Sequence, residues 1–230
     1  EMPSSNGEND KLIVEAVKNG TLDEAILDQA VERILNIVYR FEDNRKPDAV
    51  WDLDADHEMA RKIAQETMVL LKNDGLLPLS GDKKIAFIGQ YASKPRYQGG
   101  GSSHINSRRI TSAMDAVSEY CTVTYAQGYS DKADVIDEAM MAEAVKVASE
   151  AEVAVLFVGL PDLIESEGFD RPDMKMPKNQ NELIDRVCEV NKNVVIVLHN
   201  GAPVEMPWLP KVKGVLEAYL SGEACGGAVV

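Results

Sequence analysis

The 230-residue sequence is poor in positive charge. It has 24 lysines and arginines against 38 aspartates and glutamates, so its formal net charge is −14. A chain of this charge repels the phosphates of nucleic acids and the surfaces of anionic membranes. The composition therefore argues against nucleic acid or a membrane as the partner.

The sequence also lacks paired cysteines and long apolar runs. Its three cysteines, Cys121, Cys188 and Cys225, are far apart and show no C-x-x-C spacing, so we interpret them as reduced and structural. No segment approaches the roughly 20 apolar residues that a helix needs to cross a bilayer. The true N-terminus is not seen in this stretch, so a cytoplasmic location is only the default expectation.

Several motifs of cofactor and metal chemistry are missing. The three histidines, His57, His104 and His199, are widely separated and do not form an H-E-x-x-H motif. The spacings of the dinucleotide fingerprint, the phosphate loop and the serine-hydrolase elbow do not occur either. The sequence therefore predicts no metal and no cofactor.

A change of pattern divides the chain into two parts. Residues 1–41 carry two amphipathic helical patterns, and residues 42–56 are polar, contain Pro47 and form the predicted linker. The first part is too short to bury a core of its own. The sequence starts without a methionine and stops where a helical pattern begins, so we expect it to be part of a longer protein.

The second part, residues 57–230, alternates helical and strand patterns. A helix is predicted up to Gly75, and strands and helices then follow in turn. The predicted strands are 83–90, 122–126, 153–158, 194–201 and 214–219, and the predicted helices between them are 112–119, 135–149 and 179–190. Such alternation predicts the α/β class, with a mostly parallel sheet covered by helices on both faces.

Three polar loops follow predicted strands, where open parallel sheets place their ligands. The first, residues 90–109, contains the glycine triplet 99–101 followed by Ser102, Ser103 and His104. Its backbone N–H groups and hydroxyls suit a small polar ligand. The alternative is a flexible surface loop.

The second loop carries the sequence ESEGFDRPDMKMP at 165–177. Glu167 lies between Ser166 and Gly168, where a sharp turn projects its carboxyl group outward. The acidic neighbours of Glu167, or partial burial, are expected to raise its pKa toward that of a general acid, whereas Arg171 would lower it. A solvated acidic loop is the alternative interpretation.

The third loop, residues 199–210, contains His199 and Trp208. Trp208 could stack on a sugar ring or fill a gap in the core, and its large apolar area favours the core. We interpret His199 as a partly buried histidine with satisfied hydrogen bonds.

Taken together, several ordered motifs resemble glycoside hydrolase family 3, the retaining β-glucosidases and β-xylosidases. EMPSSNG and AVKNGTLDEAILDQAVERIL resemble the end of that family's catalytic barrel. ARKIAQETMVLLKNDGLLPL, GGGSS, ESEGFDRPDMKMP, VVIVLHNGAPVEMPW and EAYLSGEACGGAVV resemble its second domain. The resemblance covers nearly the whole chain and implies an α/β sandwich domain preceded by a helical remnant of a TIM-like barrel.

The resemblance also implies roles for individual residues. Glu167 matches the family's general acid/base, and Ser102, Ser103 and Phe169 match positions beside the sugar. The family's nucleophile is an aspartate in a Ser-Asp-Trp context on the barrel, and no such motif occurs here. The expected function is therefore that of part of an exo-acting β-glycosidase on β-linked glucosides or xylosides, with the barrel as partner. A non-catalytic carbohydrate-binding or structural domain is the alternative.

Overall fold

A computed structural model describes residues 7–230. The chain forms two compact units that divide between Trp51 and Asp52. This division lies within the predicted linker, residues 42–56, but both ends of that segment are helical, because one helix runs to Asn44 and another begins at Leu53. The assignment of the two units to a barrel and a second domain stays a prediction, and the residues EMPSSN lie outside the described part.

The first unit contains two helices, α1 (Glu8–Lys18) and α2 (Glu24–Asn44). Asp23 caps α2, because its carboxylate accepts a hydrogen bond of 3.0 Å from the backbone N–H of Ala25. Neither helix has a buried residue, and the apolar stripe of α2, which includes Ile37 and Phe41, is exposed. This unit therefore has no apolar core of its own.

The second unit is an α/β domain. Its helices are α3 (Leu53–Thr67), α4 (Gln90–Ser93), α5 (Ala113–Val117), α6 (Glu138–Ser149), α7 (Lys178–Val190) and α8 (Cys225–Val229). Its strands are β1 (Val69–Asn73), β2 (Ile85–Ile88), β3 (Val123–Ala126), β4 (Val153–Gly159), β5 (Val194–His199) and β6 (Gly214–Glu217). Short 3₁₀ turns occur at Gly101–Ser103 and Leu209–Lys211.

The six strands form one sheet in the order β1-β6-β5-β4-β2-β3. All neighbours are parallel except β1, which pairs antiparallel with β6. The predicted mostly parallel sheet is confirmed. The helix predicted up to Gly75 is wrong beyond Thr67, because the next residues form β1. Periodicity alone does not separate a short apolar strand from a helix, and pairing with β6 decides the outcome here.

The direction of the chain across the sheet reverses between β2 and β4. The connection from β2 leads outward to β3, whereas the next connection returns past β2 to β4. Because such crossovers are right-handed, the two connections lie on opposite faces of the sheet. The carboxyl ends of β2 and β4 therefore meet at a topological switch point, where open α/β sheets bind ligands.

The core lies around β4 and β5, whose residues are all buried. Trp208 is buried and donates a 3.1 Å hydrogen bond from Nε1 to Oδ1 of Asn181, so the predicted core position is confirmed. All three cysteines are free thiols; Cys188 and Cys225 are buried, and Cys121 is half-buried.

The interpretation of His199 as partly buried and satisfied is wrong. Its side chain is 2% exposed, and neither ring nitrogen has a hydrogen-bond partner among residues 7–230. The imidazole stacks on Phe157 at a centroid distance of 6.3 Å and meets the ring of Tyr91 edge-on at 5.8 Å. Burial, reinforced by the charge of Arg96, lowers the pKa of His199 to about 4. His199 is therefore a neutral core aromatic at neutral pH.

Candidate active site

Arg96 joins the first two polar loops beneath their surface. It is 7% exposed and follows α4 in the loop after β2. Its guanidinium donates to Asp162 over 3.0 Å, to the backbone carbonyl of Glu165 over 2.8 Å and to the Glu165 carboxylate. The same carboxylate accepts a 2.9 Å bond from the backbone N–H of Gly201. Glu165 is thus a structural anion that ties three loops together.

Glu167, two residues further on, is in a different environment. Its side chain is exposed, and Oε2 accepts hydrogen bonds from both the backbone N–H of Ser102, at 2.8 Å, and the Ser102 hydroxyl. Oε1 accepts none from the described residues. The glycine triplet allows this approach, because Gly101 has φ +87° and a Cβ there would lie 2.8 Å from Cβ of Glu167. The two loops therefore present one carboxylate oxygen to solvent.

The raised pKa that the acidic neighbours were expected to produce is not found. Hydrogen bonding from the Ser102 hydroxyl, and then from its backbone N–H, lowers the pKa of Glu167. Asp162 and Glu165 are engaged by Arg96. Arg171, expected to lower the same pKa, instead donates to the carbonyl of Pro203 over 3.0 Å. In this conformation Glu167 is a carboxylate held by donors, because its charged form is the one that they favour.

A groove of about 490 Å³ lies beside Glu167. Segments from the ends of β2, β4, β5 and β6 line it, so the three predicted loops do meet in one place. Ser102 and Ser103 are among the lining residues, whereas Phe169 is exposed and does not line the groove. The segment after β6, which contributes Leu220, was not predicted to take part.

A buried carboxylate, that of Glu217, supports this edge of the sheet. It ends β6 and accepts 3.1 Å hydrogen bonds from Nδ2 of Asn200 and from the backbone N–H of Tyr219. Burial raises the pKa of Glu217. Tyr219 has a left-handed backbone with φ 53°, which is uncommon for a bulky residue and clusters at functional sites. The sequence EAY carries no signal that would have revealed this turn.

The described residues contain no group of three or more His, Cys, Asp or Glu side chains arranged to hold a metal ion. None of the helices within residues 7–230 combines the length and the apolar character that crossing a membrane requires. The groove itself is lined by carboxylates, hydroxyls, backbone amides and the guanidinium of Arg96.

Glu167 thus presents an exposed carboxylate at the switch point of an open α/β sheet, among several loops. This arrangement is typical of a ligand-binding or catalytic domain. The chain belongs to glycosyl hydrolase family 3, because the C-terminal domain of that family matches residues 68–230. It is thus a domain of an enzyme family, as the sequence motifs predicted.

Similar proteins support this assignment. The chain is 53% identical over 234 residues to thermostable beta-glucosidase B of Acetivibrio thermocellus, and 39% identical over 242 residues to an exo-alpha-(1->6)-L-arabinopyranosidase of Bifidobacterium longum. All of this chain is aligned in both cases, but only 31% and 32% of those proteins. The chain thus spans about a third of the length of these curated relatives.

The fold is shared with a solved enzyme. The crystal structure of a Bifidobacterium adolescentis GH3 beta-glucosidase matches the whole chain with a TM-score of 0.94 at 40% identity. The match covers 34% of that structure. The six-stranded sheet with helices on both faces is therefore the α/β sandwich of this family.

Proposed function

We propose that this chain supplies the general acid/base, Glu167, of a retaining exo-acting β-glycosidase. The nucleophile and most of the sugar pocket come from a barrel domain outside these 230 residues. The observation that carries the proposal is the contrast between two neighbouring carboxylates. Glu165 is tied to Arg96 and to the amide of Gly201, whereas Glu167 reaches the groove with one oxygen free of protein donors within the described chain.

In the proposed reaction, Glu167 protonates the glycosidic oxygen while the nucleophile attacks the anomeric carbon, and it later deprotonates the water that hydrolyses the glycosyl-enzyme. Retention requires the two carboxyl groups to lie about 5–5.5 Å apart. At that distance a negative nucleophile raises the pKa of Glu167 and opposes the effect of Ser102. Formation of the glycosyl-enzyme removes that charge, so Glu167 loses its proton more readily and acts as the base.

The test uses the longer protein that carries this chain, with Glu167→Gln and Glu167→Ala. Glycosylation should slow most for poor leaving groups, which need protonation, and little for activated aryl glycosides. Azide should restore turnover in Glu167→Ala, because an anionic nucleophile needs no general base. The matched control is Asp170→Asn, an exposed carboxylate in the same turn, which should keep the normal dependence on the leaving group. Azide rescue of Glu165→Ala in place of Glu167→Ala would overturn the assignment.

The favoured substrate is a terminal β-glucoside. This choice follows the relative named beta-glucosidase, which is more similar to the chain than the arabinopyranosidase. Sugar selection depends on the barrel, so aryl β-glucoside, β-xyloside and α-L-arabinopyranoside should be compared through their kcat/KM values. A preference for the arabinopyranoside would contradict the choice of sugar and leave the role of Glu167 intact.

A further inference from the structure

A second cavity of about 490 Å³ lies at the same edge of the sheet. It is separate from the groove beside Glu167, and the two share Arg96 as a wall. Its lining comes from the loops after β2, β3 and β4, so it also lies at the switch point. Its volume falls within the range of about 300–1,000 Å³ that is typical of small-molecule sites.

Tyr91 lines this cavity and has a buried, unpaired hydroxyl. Its side chain is 2% exposed, and its OH has no hydrogen-bond partner among residues 7–230. Burial raises the pKa of Tyr91, and the charge of Asp131, which also lines the cavity, raises it further. The hydroxyl is therefore a protonated donor. An unpaired buried hydroxyl is unfavourable, and a ligand that pairs with it would remove this penalty.

A smaller cavity of about 140 Å³ adjoins the first, because both are lined by Asp131, Pro161 and Leu163. Its wall contains two buried amide side chains at the start of α7. Oδ1 of Asn179 and Nε2 of Gln180 have no partner within the described chain. The oxygen of Asn179 needs a hydrogen-bond donor and the nitrogen of Gln180 needs an acceptor, and a hydroxyl group supplies both.

The remaining lining fits a neutral, hydroxyl-rich ring. Half-buried Tyr97 offers an aromatic surface, and its OH is fixed by a 2.9 Å bond from Gln98. Lys94 and Lys132 supply donors, and Asp131 supplies acceptors. Three cations, including Arg96, line the cavity beside the two carboxylates, so the charges nearly balance and the lining favours neither an anionic nor a cationic ligand.

We propose that this pair of cavities is a second saccharide site, distinct from the groove at Glu167. It binds a neutral mono- or disaccharide, with one hydroxyl at Tyr91 and another directed toward Asn179 and Gln180. The site does not depend on the catalytic role of Glu167.

The experiment uses the longer protein that carries this chain and S-linked cellobiose, which glycosidases do not hydrolyse. A soaked crystal should show a sugar ring beside Tyr91. In an equilibrium titration, Leu163→Trp should weaken binding of one saccharide equivalent at least tenfold. Leu163 is 66% exposed at the rim, so a larger side chain there blocks the entrance without disturbing the core.

Tyr91→Phe gives a second, independent measurement. This variant should weaken binding of the same saccharide equivalent. It should also raise the thermal stability of the protein without saccharide, because it deletes a buried hydroxyl that has no partner. The control Tyr120→Phe, on an exposed tyrosine, should change neither quantity. Ordered water alone in both cavities of the soaked crystal would overturn the proposal, as would unchanged titrations for Leu163→Trp and Tyr91→Phe. Loss of turnover in Glu167 variants would leave it standing.

Discussion

Ser102 holds the carboxylate of Glu167 through two donors on a single residue. The backbone N–H is fixed by the 3₁₀ turn at Gly101–Ser103, whereas the hydroxyl can be removed by substitution. The resemblance had assigned Ser102 to the sugar. Its contacts in the structure support a positioning role that acts through Glu167.

Ser102→Ala is therefore expected to raise the pKa of Glu167, because it deletes the stronger of the two hydrogen bonds that lower it. A general acid works in its protonated form, so the basic limb of the pH profile of kcat/KM should move to higher pH. The measurement is this profile on an aryl β-glucoside with a poor leaving group. Ser103→Ala is the control, because among the described residues the Ser103 hydroxyl bonds to the carbonyl of Gly100, at 3.4 Å, and not to Glu167. A raised KM with an unmoved basic limb would instead assign Ser102 to the substrate.

His199 predicts a pH dependence of stability. Its pKa is about 4 in the folded chain and about 6.5 in the unfolded chain, so only the unfolded chain binds this proton between those values. Stability should fall as the pH drops from about 6.5 to 4, by about 3 kcal/mol from this residue. His199→Asn should flatten the dependence of the unfolding free energy over this range, measured by urea denaturation. The control His104→Asn, at an exposed histidine, should retain this pH dependence. Equal slopes of unfolding free energy against pH in the two variants would refute the assignment to His199.

At the level of residues, the sequence indicates which side chains approach the groove but not how they pair. The turn around Glu167 and the Gly99–Ser103 loop were predicted, and both line the groove. The pairing of Arg96 with Glu165 depends on contacts 69 positions apart, which local pattern does not report. The same limit explains why His199 was expected to have partners.

At the level of elements, the end of β4 leaves no room for a side chain where it pairs with β5. Gly159 has φ +150°, and a Cβ there would lie 2.0 Å from the backbone carbonyl oxygen of His199. Its N–H donates to Oε1 of Gln180 over 2.8 Å, which joins the strand end to the start of α7. Glycine at this position lets the two strands carry their loops to the same place.

Gly159→Ala should destabilise the domain by about 1–3 kcal/mol more than a glycine replaced in open space, because the added methyl group overpacks a backbone contact. The control is Gly222→Ala, which also has positive φ but open space around its Cβ. That variant should lose only about 1–2 kcal/mol, the cost of the left-handed conformation. Urea denaturation of both variants gives the comparison. A similar loss of stability in both variants would show that the contact with the His199 carbonyl contributes nothing to the cost of Gly159→Ala.

The elements that the sequence predicted correctly are those with a strong local pattern of their own. The parallel strands and their crossover helices belong to this group, since apolar runs and helical periods alternate regularly. β1 was missed because it joins the sheet only through β6, with Val69 opposite Glu217. An edge strand with a far partner has no local signature that separates it from the end of a helix.

At the scale of the whole molecule, catalysis is expected to need more than these 230 residues. The isolated chain should not hydrolyse aryl β-glucosides measurably, because the proposed nucleophile and most of the sugar pocket lie on the barrel. The assay should be run on a sample whose helix and sheet content is verified by circular dichroism. The longer protein, at equal molar concentration, is the control. Hydrolysis with retention of configuration by the isolated chain would contradict the proposal that the nucleophile lies outside these 230 residues.

The buried Arg96 also limits which loops of such a domain can be exchanged separately. If one loop is exchanged for a loop that lacks its member of the Arg96–Glu165 pair and the other loop is kept, a charge is left without its partner inside the protein. Breaking a buried ion pair costs about 3–5 kcal/mol. A chimaera that exchanges residues 90–109 together with 160–177 keeps the pair intact. The two loops therefore form one transferable cassette, and variation in either is expected to be accepted only together with matching variation in the other.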